Sequence, residues 1–258
     1  VMGILNCTPD SFSDGGRFDS RETAVTHAIE MLDAGAEIID IGGESTRPGA
    51  PEIADDEEIR RTAPVIAELR KLRPASIISI DTRKAGVAAA ALDAGADIVN
   101  DVSSLQYSPL MPETAAKHRA GLIIMHSRGT PQNMQSPEHL AYHDLIAEVT
   151  AELIAAADKA IAAGVPRNHI VLDPGIGFAK DSAQNIAILN AIPRLAALGF
   201  PILIGASRKS FIGKLCGESS PERRLPGSLA AAVIAAAKGA AIIRVNDVPA
   251  TTPDLAIV

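Results

Sequence analysis

Asn6, Thr46, Arg47, Asp81, Asn100, Asp173, Lys209 and Arg244 stand at or just beyond points where a short apolar run gives way to a loop. The most pronounced case is 170–180, where Ile170, Val171 and Leu172 run into Asp173 before Pro174, Gly175 and Gly177 turn the chain. An unpaired carboxylate is expensive to bury, so Asp173 needs a cation or several N–H donors in front of it. An Asp before Pro-Gly also caps turns. Turn caps alone do not require two Asp, two amides and several cations around one rim, and the set reads as one convergent site. Asp81, Asn100 and Asp173 supply acceptors suited to a flat heterocycle with adjacent N–H donors, such as an amino-pyrimidinone edge. A carboxylate takes two parallel N–H bonds from such an edge, and charge assistance strengthens them. Lys209 can donate to a ring carbonyl, and Arg244 can stack on the ring or hold an anion. Residues 207–210, Ser-Arg-Lys-Ser, open a helix expected over 211–215, whose free N–H groups attract an anionic group.

The elements that must carry these residues repeat one unit: helix, Gly, apolar strand, polar residue. Strand 1–5 ends at Asn6, 38–41 leads into the Gly-rich stretch 42–49, and 76–80 ends at Asp81. Strand 95–99 ends at Asn100, 122–125 at His126, and 170–172 at Asp173. The last two, 201–204 and 241–243, lead through Gly205 to Ser207 and directly to Arg244. Strands this apolar belong to a parallel sheet covered on its outer face. Eight such units predict an α/β fold, a (β/α)₈ TIM barrel in one domain over 1–258, with its site at the C-terminal ends of the strands. No G-x-G-x-x-G follows the first strand, which weakens a dinucleotide-binding reading. From about Ser20 the apolar stripe of Ala24, Ala28, Ile29, Met31 and Leu32 predicts a helix ending at Gly35. The acidic run 55–58 reads as the solvated first turn of a helix reaching Leu72. One long helix is expected over about 139–163, with no chemistry of its own. The Gly/Pro-rich stretches after the first two strands are long for such connections and read as lids.

Composition narrows the class. Hydrophobic residues make up 47% with only 3% aromatic and no Trp, which suits small aliphatics packed between helix and sheet. A net charge of −7 argues against a general nucleic-acid binder. No apolar run reaches membrane-span length and no signal peptide is visible, so a cytoplasmic setting is expected. Cys7 and Cys216 fit no metal or disulfide framework. The chain opens directly on the apolar strand at Val1, and a trimmed N-terminus is expected.

Gly3-Ile4-Leu5-Asn6 with 8–16, 42–49, Ile80-Asp81-Thr82, Asn100-Asp101, Asp173-Pro174-Gly175, Ser207-Arg208-Lys209-Ser210 and Ile243-Arg244-Val245 follow one another in this order. Together they resemble the dihydropteroate synthase family along nearly the whole chain. The resemblance implies a transferase of folate biosynthesis and a sulfonamide target. It would join 6-hydroxymethyl-7,8-dihydropterin diphosphate to 4-aminobenzoate, release diphosphate, and work as a homodimer. By that likeness Asp81, Asn100, Met125, Asp173, Lys209 and Arg244 would hold the pterin. Phe12, Thr46, Arg47, Pro48, Phe178, Lys209 and Ser210 would frame the aminobenzoate. Asn6, Arg244 and Asn246 would hold the diphosphate, Asn6 with a Mg²⁺ cofactor. Asp14, Lys209 and Arg244 would be catalytic, with Asp14 facing developing positive charge. Cys7 and His126 receive no catalytic step. Two residues depart from the family pattern: Asn246 replaces a usual His, and Ile176 stands where an aromatic residue is common. Two rivals keep the pterin site, a methyltetrahydrofolate:corrinoid methyltransferase and a catalytically silent pterin-binding homologue.

Overall fold

The computed structural model of the chain describes residues 1–8, 17–45, 50 and 52–258. Its strands are β1 (Met2–Asn6), β2 (Ile38–Gly42), β3 (Ile77–Asp81), β4 (Ile98–Asp101), β5 (Gly121–Met125), β6 (Ile170–Asp173), β7 (Leu203–Ile204) and β8 (Ile242–Val245). All pair in parallel, in the order β6-β5-β4-β3-β2-β1-β8-β7, and a bridge between Leu172 and Ile202 closes the ring. Around it lie α1 (Arg17–Asp33), α2 (Asp55–Leu72), α3 (Ala85–Asp93), α4 (Met111–His118), α5 (Pro137–Leu140), α6 (Leu145–Ala162), α7 (Ser182–Ala196), α8 (Ser210–Cys216), α9 (Leu225–Ala237) and α10 (Val248–Leu255). The expected (β/α)₈ barrel is the fold observed. Among the described residues no helix is long and apolar enough to cross a membrane.

Alternation along each strand decides what faces inward, because successive side chains point to opposite faces. Met2, Ile123 and Leu203, with Ile38, Ile98, Val171 and Ile242 against them, form an apolar plug separate from the main core. The alternate set, including Ile39, Ile41, Ile78, Ile80, Val99, Leu122, Ile124 and Leu172, packs into the core shared with the helices. Two residues beyond the plug, on five of its strands, come Asp40, Asn100, Met125, Asp173 and Arg244. The apolar runs are therefore continuous because both faces are covered, and the polar residues begin where the plug ends. Register sets Asn6 beside Gly42, Gly42 beside Asp81, and Asp81 beside Asn100.

Two local expectations are corrected. The helix expected over 139–163 is broken into α5 and α6. The Asp144 side chain caps α6 by accepting from the Ala147 N–H at 3.1 Å, while Glu148 accepts the N–H groups of His143 and Asp144. A local cap of this kind starts a new helix in preference to extending the old one. The acidic run at the start of α2 is not wholly solvated: Glu58 is fully buried and accepts from Lys84 Nζ at 2.9 Å.

Candidate active site

Arg244 is the hub of the inward polar layer. Its Nε donates to Asp40 Oδ2 and its Nη2 to Asp81 Oδ2, both at 2.6 Å. Asn100 Nδ2 donates to the same Asp40 oxygen at 3.0 Å. Burial works against the Arg244 charge, but Asp40 and Asp81 outweigh it and raise its pKa above the ordinary range. Burial also pushes Asp81 up to about 7, against the pull of Arg244. Asp40 Oδ1, Asp81 Oδ1 and Asn100 Oδ1 are buried with no hydrogen-bond partner among the described residues. Buried polar atoms are nearly always paired, so three unpaired acceptors in one layer match a ligand rich in N–H groups.

Asp173 sits across the barrel from this hub, beside Met125 in the register of β5 and β6. Its Oδ1 accepts the Gly175 N–H at 2.7 Å. The turn needs glycine there: φ is +71°, and a Cβ on Gly175 would stand 2.0 Å from the His126 carbonyl oxygen. Asn185 of α7 ties the same turn down, accepting the Gly177 N–H at 2.7 Å. Burial raises the pKa of Asp173, and the Lys209 ammonium opposes that rise. Lys209 donates to the Ile176 carbonyl and lies 4.6 Å from the centre of the Phe178 ring. Burial pushes Lys209 down to about 8, although Asp173 holds it back. Ile176 itself is fully buried in the core, so it meets the site through its carbonyl and not through its side chain.

On the rim Asn6 is exposed at the end of β1 and Ser210 is exposed at the start of α8. Asn246 is engaged: its backbone N–H and its Nδ2 both donate to Ser207 Oγ, at 3.2 and 3.1 Å. Phe178 is half-buried and lines a cleft of about 270 Å³ together with Arg83, Val102, Tyr107, Ser127 and Met134. Phe12, Asp14, Thr46, Arg47 and Pro48 lie outside the described residues. The chain on either side of 46–49 is pinned from below. Lys84 Nζ donates to the Ile53 carbonyl at 2.6 Å and lies 3.3 Å from Glu44, whose Oε1 accepts the Ile53 N–H at 3.2 Å.

Residues 2–246 match the family model described as pterin binding enzyme. A dihydropteroate synthase of Synechocystis sp. is 52% identical over 250 residues, covering 97% of this chain and 86% of that protein. The solved dihydropteroate synthase of Xanthomonas albilineans with 4-aminobenzoic acid superposes with a TM-score of 0.92 at 43% identity, covering 99% of this chain and 90% of that one. The Yersinia pestis enzyme in a sulfonamide drug complex gives a TM-score of 0.92 at 45% identity, covering 99% of this chain and 91% of that one. The chain belongs to the dihydropteroate synthase family. As in the reading of its motif blocks, this dihydropteroate synthase homologue brings Asp81, Asn100, Met125, Asp173, Lys209 and Arg244 to one end of the barrel.

Sequence reasoning missed three charged residues of this dihydropteroate synthase fold. Asp40 was passed over as part of an apolar strand, yet it is fully buried and holds both Arg244 and Asn100. The signal was present, since a carboxylate inside Ile-Ile-Asp-Ile cannot be buried without a cation. Lys84 and Lys180 are each only 2% exposed. Nothing local marks either, because their partners come from other elements.

Proposed function

We propose that the protein condenses 6-hydroxymethyl-7,8-dihydropterin diphosphate with 4-aminobenzoate to 7,8-dihydropteroate, releasing diphosphate, in the cytoplasm and as a homodimer. The observation that carries this reading is the set of buried acceptors opposite Asp173, with Arg244 bonded to two of them and Lys209 on the Asp173 side. An amino-pyrimidinone edge offers the matching donors, and its carbonyl matches Lys209. Asp173 and Asn100 hold the ring edge, Met125 packs on its face, and Arg244 lies along the ring towards the diphosphate. Phe178 and Ser210, with Phe12, Thr46, Arg47 and Pro48 from the two loops, frame the aminobenzoate.

The bond between the pterin methylene carbon and the diphosphate oxygen breaks first, and both electrons leave with diphosphate. Arg244 and Asn246 stabilise that leaving anion. The electron-rich ring delocalises the cation left behind, and Asp14 faces the developing charge. The arylamine nitrogen then bonds to the methylene carbon and loses a proton, so no side-chain nucleophile is required. Among the described residues no cluster of His, Cys, Asp or Glu forms a metal cage. An exposed amide at Asn6 fits a Mg²⁺ that brings its other ligands with it, as this ion usually does with phosphates and water. Held by Asn6 and the diphosphate, the ion would neutralise charge on the leaving group. Sulfonamides would compete for the aminobenzoate pocket.

Diphosphate release from the pterin substrate, with and without 4-aminobenzoate, tests the proposal. Aminobenzoate-dependent release with dihydropteroate formed supports it. Methyl transfer to a corrinoid protein, or pterin binding without turnover, would replace it with one of the two rivals. Asp173→Asn should largely abolish pterin binding by calorimetry, and unchanged affinity would remove Asp173 from its role.

A further inference from the structure

Lys180 is a buried cation that the reaction above does not use. Its Nζ lies 2.9 Å from His126 Nδ1 and donates to the Phe178 carbonyl at 3.1 Å. Among the described residues no carboxylate lies within ion-pair distance of it. A buried ammonium without a touching anion is costly, so a compensating interaction is expected nearby. The turn above it supplies the direction. A Cβ on Gly175 would stand 3.5 Å from Lys180 Nζ, and the N–H of that same Gly175 donates to Asp173 Oδ1. The ammonium is thus tucked behind the turn that presents the pterin-edge carboxylate.

The other side of Lys180 is closed by a charged chain leading to solvent. His126 is fully buried, and its Nε2 stands 3.0 Å from Glu152 Oε2 on α6. Glu152 is 37% exposed and also bonds Arg128. An ammonium donating to His126 Nδ1 leaves the ring proton on Nε2, facing Glu152. Burial pushes His126 down to about 4, which keeps it a neutral acceptor for Lys180. Burial also pushes Lys180 down to about 7, and Asp173 is the strongest influence in the opposite direction.

We propose that Lys180, seated on His126, is a positioning residue that supplies the counter-charge to Asp173 from behind, leaving the front of the carboxylate free for the pterin. This rests on the pterin role given to Asp173 above. The charged groups around the pair are Lys209 at the start of α8 and Arg244 on β8, which face Asp173, and His126, Arg128 and Glu152 around Lys180. Lys209 and Arg244 touch ligand when it binds, whereas Lys180 stays behind the turn and cannot be displaced by it.

The test is Lys180→Met, with binding of 6-hydroxymethylpterin measured by calorimetry from pH 6 to pH 9. Met matches the stem without the charge, and removing an ammonium that touches no carboxylate also removes the cost of burying it. The expected result is a loss that is greatest at the acid end of the range, at most about tenfold for a rise of one unit in the Asp173 pKa, and that shrinks towards pH 9. Parallel pH curves for wild type and variant would overturn the proposal. Carboxyl NMR of ligand-free protein reads the Asp173 titration directly, and Lys180→Gln serves if the Met variant fails to fold. An unshifted Asp173 titration would also overturn it. Failure of wild type to bind the pterin would instead count against the function, and the NMR arm would still decide the role of Lys180.

Discussion

Removing Asp40 should damage both the fold and the site. Its Oδ2 accepts from Arg244 Nε at 2.6 Å and from Asn100 Nδ2 at 3.0 Å, in a fully buried position. Breaking one side of a buried ion pair usually costs about 3–5 kcal/mol, because the remaining charge is left without compensation. Arg244 keeps Asp81 at 2.6 Å after Asp40→Ala. The lower end, about 3 kcal/mol, is therefore expected. At roughly 2–4 °C per kcal/mol for a chain of this size, Tm should fall by about 6–12 °C. Asp40→Asn separates charge from shape, since its one carbonyl oxygen can still accept from both donors. It loses the charge assistance, worth about 1–2 kcal/mol across the two bonds. Urea unfolding reads the stability, and pterin calorimetry on the same samples reads whether Arg244 and Asn100 have lost their places. If Asp40→Ala stays within about 1 kcal/mol of wild type and binds pterin as tightly, the ion-pair hub is not what organises the site.

Two further outcomes follow from other buried charges. Lys84→Met should leave Glu58 buried without its cation and cost about 3 kcal/mol in urea unfolding. It should also raise KM for aminobenzoate more than KM for the pterin, since Glu44 and Ile53 flank 46–49; an equal change in both would detach this network from the loop. Lys209 has its pKa lowered by burial to about 8, so its charge is complete below that pH and lost above it. Pterin affinity should fall as pH rises through about 8, while folding stability should increase between there and the ordinary lysine value of 10.5, because only the unfolded chain still binds the proton. Affinity that is flat across this range, or an alkaline limb that survives in Lys209→Met, would assign the titration to another group.

The barrel and its rim were legible because burial on both faces leaves mostly apolar runs, interrupted only by Asp40 and Ser79 before the strands end. Asp81, Asn100, Asp173 and Arg244 stand out for that reason, and the turn after Asp173 could be read from Pro174 and Gly175. The break at 141–144 was not legible, since the apolar stripe of α6 continues the period of the residues before it and only the bonds of Asp144 and Glu148 interrupt the helix. Lys84, Glu58 and Lys180 were illegible for a different reason. Each is an ordinary surface residue type whose burial depends on a partner from another element, as with Lys84 and Glu58, 26 positions apart.

Asp40 is the instructive case, because its place follows from a residue that does no chemistry. On β3 the inward rim position is Asp81, and the position two earlier is Ser79, beneath it. On β2 the matching rim position is Gly42, paired in register with Asn6 and Asp81, and the position two earlier is Asp40. With no side chain at Gly42 to roof it over, the lower carboxylate remains within reach of the space above. Gly205 clears the same kind of room on the opposite flank, where even a Cβ would come 3.8 Å from that of Arg244. The guanidinium can therefore cross the barrel below the rim and join Asp40 to Asp81. A glycine closing one barrel strand, with a carboxylate two residues before it, marks where a second polar layer takes part in the site. Filling that gap with Gly42→Val should crowd Asp81, since the first added carbon would already be in contact with the Asp81 Cβ at 3.5 Å and the two beyond it need further room. Pterin affinity should then fall with Asp40 still in place, and calorimetry showing full affinity would mean that the open position at Gly42 is not what admits the lower layer.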